Sequence, residues 1–152
     1  MSKYKELDDA NWRILEALQK NARITVSELS KRVFLSAPAV AERISKLEQA
    51  GFIKGYRTII DYNKLGLTVP VFVHFKSTSL AHADMVKKVN EMSEVMEWYT
   101  ITGNNCMIMK VVVSSTEELD KVLQELSNFG ETTTSIILSG NPEPRIIKRN
   151  GQ

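Results

Sequence analysis

The chain has a single cysteine, Cys106, in 152 residues, so it can close no internal disulfide and build no cysteine-type zinc site. A reducing, cytoplasmic setting is the expectation that follows. Histidine is scarce too: His74 and His82 are the only two, and no HExxH, GxSxG or phosphate-loop glycine pattern occurs anywhere. General acid–base, nucleophilic and metal chemistry therefore have little to work with, and no catalytic residue, metal or cofactor is expected. No apolar run approaches the length of a bilayer span, and the lysine-bearing N-terminus lacks the apolar stretch of a signal peptide. A soluble, unsecreted protein without a membrane partner is expected.

An excess of one charge is also missing, with 20 Lys+Arg against 18 Asp+Glu, but the balance hides a gradient. Residues 1–66 hold 12 basic against 8 acidic side chains, whereas residues 67–152 hold 8 against 10. A basic first half joined to an acidic second half points to nucleic acid at one end. The apolar fraction of 43% is ordinary for a globular chain, and this length accommodates two small domains whose cores need no staple.

The first half reads as three short helices, each opened by a capping side chain with an apolar pair around it. Asp8 caps the first, with Leu7 against Trp12 and with Ile14, Leu15 and Leu18 at helical spacing, ending near Asn21. Thr25 and Glu28 form a capping box, stapled by Ile24 and Leu29, for a helix running to Val33. Ser36 caps the third, Pro38 is tolerable in its first turn, Val40, Ile44 and Leu47 line its inner face, and Gly51 supplies a left-handed stop. Only about three residues join the second helix to the third, which is helix-turn-helix spacing.

Residues 53–61 alternate β-branched, aromatic and basic side chains and read as an extended arm or small wing, with a turn over 62–66. The second half reads strand, helix, strand, strand, helix, strand. Val69, Val71, Val73 and Phe75 alternate on one face; Ala81, Met85, Val89 and Met92 follow at helical spacing; strands span 95–102 and 107–113 around a turn at 103–106. A second capping box, Ser115 with Glu118, opens a helix closed by Gly130, before a last strand over 132–138. The order βαββαβ is ferredoxin-like, and the expected fold is α+β: a winged-helix-like helix-turn-helix over 1–52, an arm over 53–66 and a ferredoxin-like domain over 67–152. Pro70 and Phe72 make the strand's other face apolar as well; two helices cover only one sheet face, so self-association is the simplest cover for the other. Met85, Met92, Met96, Met107 and Met109 read as packing.

Projected at about 100° per residue, the outer face of the third helix shows Pro38, Ala39, Glu42, Ser45 and Lys46, with Arg43 on its flank. Small side chains let a helix approach a major-groove floor, Arg43 offers a fork to guanine or phosphate, Glu42 accepts from cytosine, and Lys46 and the Ser36 cap region suit phosphate. Glu42 and Lys46 also have the spacing of an ordinary i,i+4 ion pair. Lys31, Arg32, Lys54 and Arg57 are candidate phosphate contacts that solubility alone also accounts for.

The run LDDANWRILEALQKNARITVSELSKRVFLSAPAVAERISKLEQAGFIKGYRTIIDYNKLG resembles the DNA-binding half of the Lrp/AsnC family. EVMEWYTITG, IMKVVV and TTTSIIL are similar to that family's ligand-sensing domain. The resemblance implies a cytoplasmic, nucleoid-associated transcription regulator on double-stranded DNA. It also implies a homodimer that assembles further to tetramers or octamers, and an amino acid or related metabolite as effector. It makes 36–46 the recognition helix and assigns effector binding to Gly103, Asn104, Asn105 and Cys106, with Thr132 and Thr134 of the last strand. Three departures stand out. Asn11 replaces an acid, with an effect expected only in the first turn. Phe34 replaces a glycine, so its turn either avoids the left-handed conformation or carries a cost, and packing of its ring on the sensing domain is the other expectation. Asn104, Asn105 and Cys106 replace an acidic-aromatic-acidic triplet, putting neutral hydrogen-bonding groups where a carboxylate pairs with an ammonium. Two other readings stand beside the regulator: a ligand-free architectural DNA organiser, and an enzyme on the ferredoxin-like fold using His74 and His82.

Overall fold

The computed structural model describes residues 7–77, 82–140 and 145–149. They fall into two compact units divided between Ile59 and Ile60, and the C-terminal segment returns to the first unit.

In the first unit, α1 (Asp9–Lys20), α2 (Val26–Val33) and α3 (Ala37–Gln49) begin where the caps predict. Asp8 accepts the Asn11 amide at 2.8 Å, Thr25 and Glu28 complete their reciprocal box, and Ser36 accepts from Ala39 at 3.4 Å. Ile14, Leu29, Val33, Val40 and Leu47 are buried together, with Leu7, Leu35 and Ile44 packed against them. The inner faces of three short helices thus close one small core, because none of them is long enough to hold its shape alone. Gly51, at φ +76°, ends α3 in a Schellman turn: its amide bonds Glu48 O at 2.9 Å and the Phe52 amide bonds Leu47 O at 2.9 Å.

The connection from α2 to α3 takes the costlier of the two expected courses. Phe34 takes the left-handed conformation, φ 57° and ψ 44°, at a cost of about 1–2 kcal/mol for a residue with a Cβ. Its ring is 82% exposed. The handedness is set by the stop itself, in which the Leu35 amide reaches back to Ser30 O at 3.1 Å and Leu35 drops into the core.

The expected arm carries no strand, and it divides between the units, with 53–59 in the first and 60–66 in the second. A short 3-10 turn, Asn63–Leu65, closes on Gly66 at φ +79°.

The second unit is β1 (Val69–Ser77), α4 (His82–Glu91), β2 (Val95–Thr100), β3 (Met107–Val113), α5 (Thr116–Ser127) and β4 (Gly130–Ile136), in an antiparallel sheet ordered β2-β3-β1-β4. This is the predicted ferredoxin-like α+β arrangement. Val71, Val73, Phe75, Met107, Met109 and Val111 face Met85, Val89, Leu119, Val122 and Leu126 of the two helices. Ala81 and the side chain of His82 lie outside the described residues. The opposite face carries the rows Ser135–Phe72–Lys110–Glu97 and Thr133–His74–Ile108–Tyr99, in which Phe72 is 39% and Tyr99 57% exposed.

Two local readings are corrected here. Glu118 does not complete a box with Ser115; its carboxylate accepts the Ser114 amide at 2.9 Å, one residue earlier. Gly130 does not stop α5, which ends at Ser127 with Asn128 in right-handed geometry. Instead it opens β4, two residues before the expected start, where a Cβ would lie 2.3 Å from Lys76 O and 2.8 Å from the Phe75 ring.

Candidate nucleic-acid interface and effector loop

α3 presents Pro38, Glu42 and Lys46 as exposed residues, with Ala39 and Ser45 half-buried beside them. Glu42 and Lys46 pair at 2.6 Å with both side chains about two-thirds exposed, so the plain ion-pair reading of that spacing is realised. The lysine's hydrogen bond and charge hold the Glu42 carboxyl below its usual range. Such a pair is worth only a few tenths of a kcal/mol and opens readily.

Arg43, the candidate fork, is engaged within its own unit. One guanidinium nitrogen donates to Asp8 Oδ2 at 2.7 Å and to Asn11 Oδ1 at 3.0 Å, which ties the middle of α3 to the N-terminus of α1. A fork aimed at guanine must give up these bonds or use the remaining nitrogens. Asn11 likewise acts beyond its own first turn. Asp8 titrates below its ordinary 3.8, chiefly because it accepts the Asn11 amide; partial desolvation opposes this and the Arg43 bond adds to it.

The Asp8 contribution to stability is therefore present above pH 3.8 and lost as pH falls through the lowered value. In thermal melts at neutral pH, Arg43→Ala and Asp8→Ala should each lower the midpoint. The double variant should lose less than the sum, with a coupling of about 1 kcal/mol for a half-exposed charged bond. Strict additivity would show that the contact carries no energy.

Lys31 and Arg32 are exposed in the last turn of α2, and Lys54 and Arg57 are exposed on the arm; none forms an ion pair with a described residue. Tyr56, next to Arg57, donates to Glu48 Oε1 at 3.0 Å and so pins the arm to the end of α3. Partial burial, with Glu48 beside it, pushes the Tyr56 phenol up.

Sequence reasoning missed the C-terminal segment entirely. The Ile147 amide donates to Gln19 Oε1 at 2.8 Å, Gln19 Nε2 donates to Ile147 O at 3.0 Å, and Arg149 pairs with Asp9. Segment 147–149, α1 and residues 52–57 border an open groove of about 1060 Å³. A contact spanning 128 residues leaves no periodic or capping trace in the sequence. By its contacts this segment groups with the helical unit.

In the second unit the loop over 103–106 joins β2 to β3. Gly103 sits at φ +111°, Asn104 is exposed, and Asn105 and Cys106 are half-buried. The Ile101 amide bonds Cys106 O at 3.0 Å, and the Cys106 amide bonds Phe75 O at 2.9 Å, so the loop is fastened to the end of β1. Thr132 lies opposite Phe75 on the other side of β1, and Thr134 opposite Val73. The loop and Thr132 therefore share one end of the sheet, roughly 10 Å apart at two strand spacings. Thr134 lies one pleat repeat further along β4.

Cys106 Sγ lies 3.5 Å from Phe75 O, and His74 sits half-buried between Ile108 and Thr133 in the opposite-face row. Among the described residues no cluster of His, Cys, Asp or Glu could hold a metal, and no helix is long and apolar enough to cross a membrane.

Comparison with known proteins adds to this geometry. Residues 7–54 match a family described as winged helix-turn-helix DNA-binding, and residues 69–146 match one described as Lrp/AsnC ligand binding domain. The transcriptional regulator LrpB of Bacillus subtilis is 34% identical over 125 residues, covering 82% of this chain and 84% of its own length. The glutamate uptake regulatory protein of Zymomonas mobilis is 36% identical over 139 residues, covering 89% of this chain and 85% of its own. The solved structure of E. coli AsnC superposes with a TM-score of 0.82 at 33% identity, covering 95% of this chain and 99% of that one.

Proposed function

Because the chain belongs to the Lrp/AsnC family of transcriptional regulators, we propose that it acts as a homodimer that reads a roughly palindromic operator and answers to a small amino-acid-like metabolite. The DNA-binding, ligand-binding-domain architecture is the family's own. The observation that carries the reading is the α2–α3 pair, crossed within a connection of three residues and flanked by exposed cations. In a dimer the two α3 helices enter successive major grooves about 34 Å apart. Pro38, Ala39 and Glu42 reach base edges; Lys31, Arg32, Lys54, Arg57 and Lys46, released from Glu42, take phosphates; and the Ser36 cap fixes the helix end that docks. Arg43 holds α3 on α1 and reaches DNA only with its remaining nitrogens. The chain's location is the cytoplasm, on the nucleoid, where its DNA lies.

The sheet face bearing Phe72, Ile108 and Tyr99 supplies the surface for a second copy, since an apolar strand face is stable only when covered. Gly103, Asn104, Asn105 and Cys106, with Thr132 and Thr134, form the effector site at the end of the sheet. Here Asn104 and Asn105 hydrogen-bond the ligand with neutral amides, without pairing to its ammonium. A ligand at this site biases the spacing of the two helix pairs, and so the DNA affinity.

A thermal-shift panel of the twenty amino acids, run on the full chain and on Asn104→Asp, tests the effector reading. A ligand at 100 times its Kd that binds only the folded state adds about 2.7 kcal/mol, which raises the midpoint by several degrees. Asn104→Asp should enlarge the shift for the same amino acid by restoring a carboxylate. A flat panel in both proteins would overturn the amino-acid reading and favour the ligand-free DNA organiser, which the uncharged loop suits.

A further inference from the structure

Phe34 is the only non-glycine residue with positive φ among the described residues, and its ring is 82% exposed. The two facts compound each other. A left-handed backbone is disfavoured for a residue with a Cβ, and a large ring left in water forfeits what burial would return. Nothing in its own unit offsets either one, whereas glycine or asparagine would satisfy the same Schellman stop without strain. A strained, exposed side chain of this kind marks a contact the free chain lacks.

Its place in the unit says what that contact is. Phe34 lies two residues before Ser36, the cap of α3, and directly after the last turn of α2 with its exposed Lys31 and Arg32. In helix-turn-helix docking the N-terminal end of the second helix reaches the base edges, while cations on the flank take phosphates. The ring thus stands between a phosphate-contacting rim and a base-reading helix. The apolar surfaces available there are deoxyribose faces and thymine methyl groups. Two neighbouring cations that feel Glu28 of their own helix but close no ion pair with a described residue suit a polyanion better than an apolar protein face.

We propose that Phe34 is a DNA-contacting residue, whose ring packs on apolar DNA surface at the groove edge and adds affinity that does not depend on salt. The proposal rests on the DNA-binding reading above and adds to it a contact made by neither the outer face of α3 nor a cation.

The test uses the full chain and the duplex it selects from a random-sequence pool. Phe34→Gly and Phe34→Asn both keep the backbone stop unstrained, so both should fold with melting midpoints at or above that of the unaltered chain. Both should bind the selected duplex about tenfold more weakly, roughly the worth of one ring taken out of water, with the slope of log affinity against log salt unchanged. Phe34→Tyr should retain affinity. Replacing thymine by uracil throughout the duplex separates the sources: a loss in the unaltered chain that is absent in Phe34→Gly assigns the methyl groups, and no loss assigns the sugars. Unaltered affinity in both variants would overturn the proposal, as would a loss confined to oligomer assembly, which would place the ring on protein. A chain that selects no duplex at all would overturn the DNA reading with it.

Discussion

Raising monovalent salt from 50 to 200 mM should weaken binding of the full chain to its operator by roughly 10³- to 10⁵-fold, the loss expected for six to ten phosphate contacts. Lys31, Arg32, Lys54 and Arg57 are exposed and free of ion pairs with described residues, and a dimer doubles them into that range. Each neutralised phosphate releases counterion, so the slope of log affinity against log salt counts the contacts. Replacing any one of the four by alanine should make the slope shallower by about one to two in a dimer, and should weaken specific and nonspecific duplexes alike. Fluorescence anisotropy with a labelled duplex across a salt series reads both quantities. A flat salt dependence would mean that these cations serve solubility only.

Gly130→Ala should destabilise the second unit by about 1–3 kcal/mol or more, the range for forcing an atom into packed structure. The added Cβ would meet the Lys76 carbonyl at 2.3 Å and the Phe75 ring at 2.8 Å. Neither neighbour yields easily, since the first is backbone and the second is 1% exposed within the core. For a unit of this size each kcal/mol lowers the midpoint by roughly 4–8 °C, so the shift is large in calorimetry. The loss should fall on the sheet unit and leave the helical unit's melting unchanged. Gly130→Asn discriminates the two roles of this residue, because asparagine serves a helix stop well but clashes at the start of β4 as alanine does. A mild effect of Gly130→Asn beside a severe effect of Gly130→Ala would restore the helix-stop reading.

What was legible in the sequence follows the range of the interaction involved. Asp8, Thr25 with Glu28, and Ser36 each act on amides three residues away, and all three open their helices as the local pattern predicts. Strand alternation in Val71, Val73 and Phe75 likewise marks the core face without help from the rest of the chain. What the sequence could not show turns mostly on partners far along the chain. Arg43 reads as a surface fork until Asp8, 35 residues away, is brought beside it. Gly130 reads as a stop until β4 is laid against Lys76 and Phe75. At Ser115, the spacing to Glu118 fits a box, but the carboxylate finds the neighbouring Ser114 amide instead.

The candidate site divides in the same way. The loop over 103–106 was marked by the turn between two strands, and its departure from the family pattern is visible in the letters Asn104, Asn105 and Cys106 alone. That Cys106 is fastened to Phe75 O, across the sheet from Thr132, depends on the pairing of β1 with both β3 and β4.

By itself, then, the sequence determined the element types, the helix starts, the inner faces and the family, because capping bonds and periodicity act over one or two turns of chain. Tertiary structure alone decided that Arg43 ties α3 to α1, that Gln19 holds Ile147, that Gly130 makes room for Phe75, and that the Phe34 ring stands in solvent. These outcomes depend on which distant groups meet. A residue's spacing records what its neighbours along the chain require, and holds no record of what packing brings to its other side.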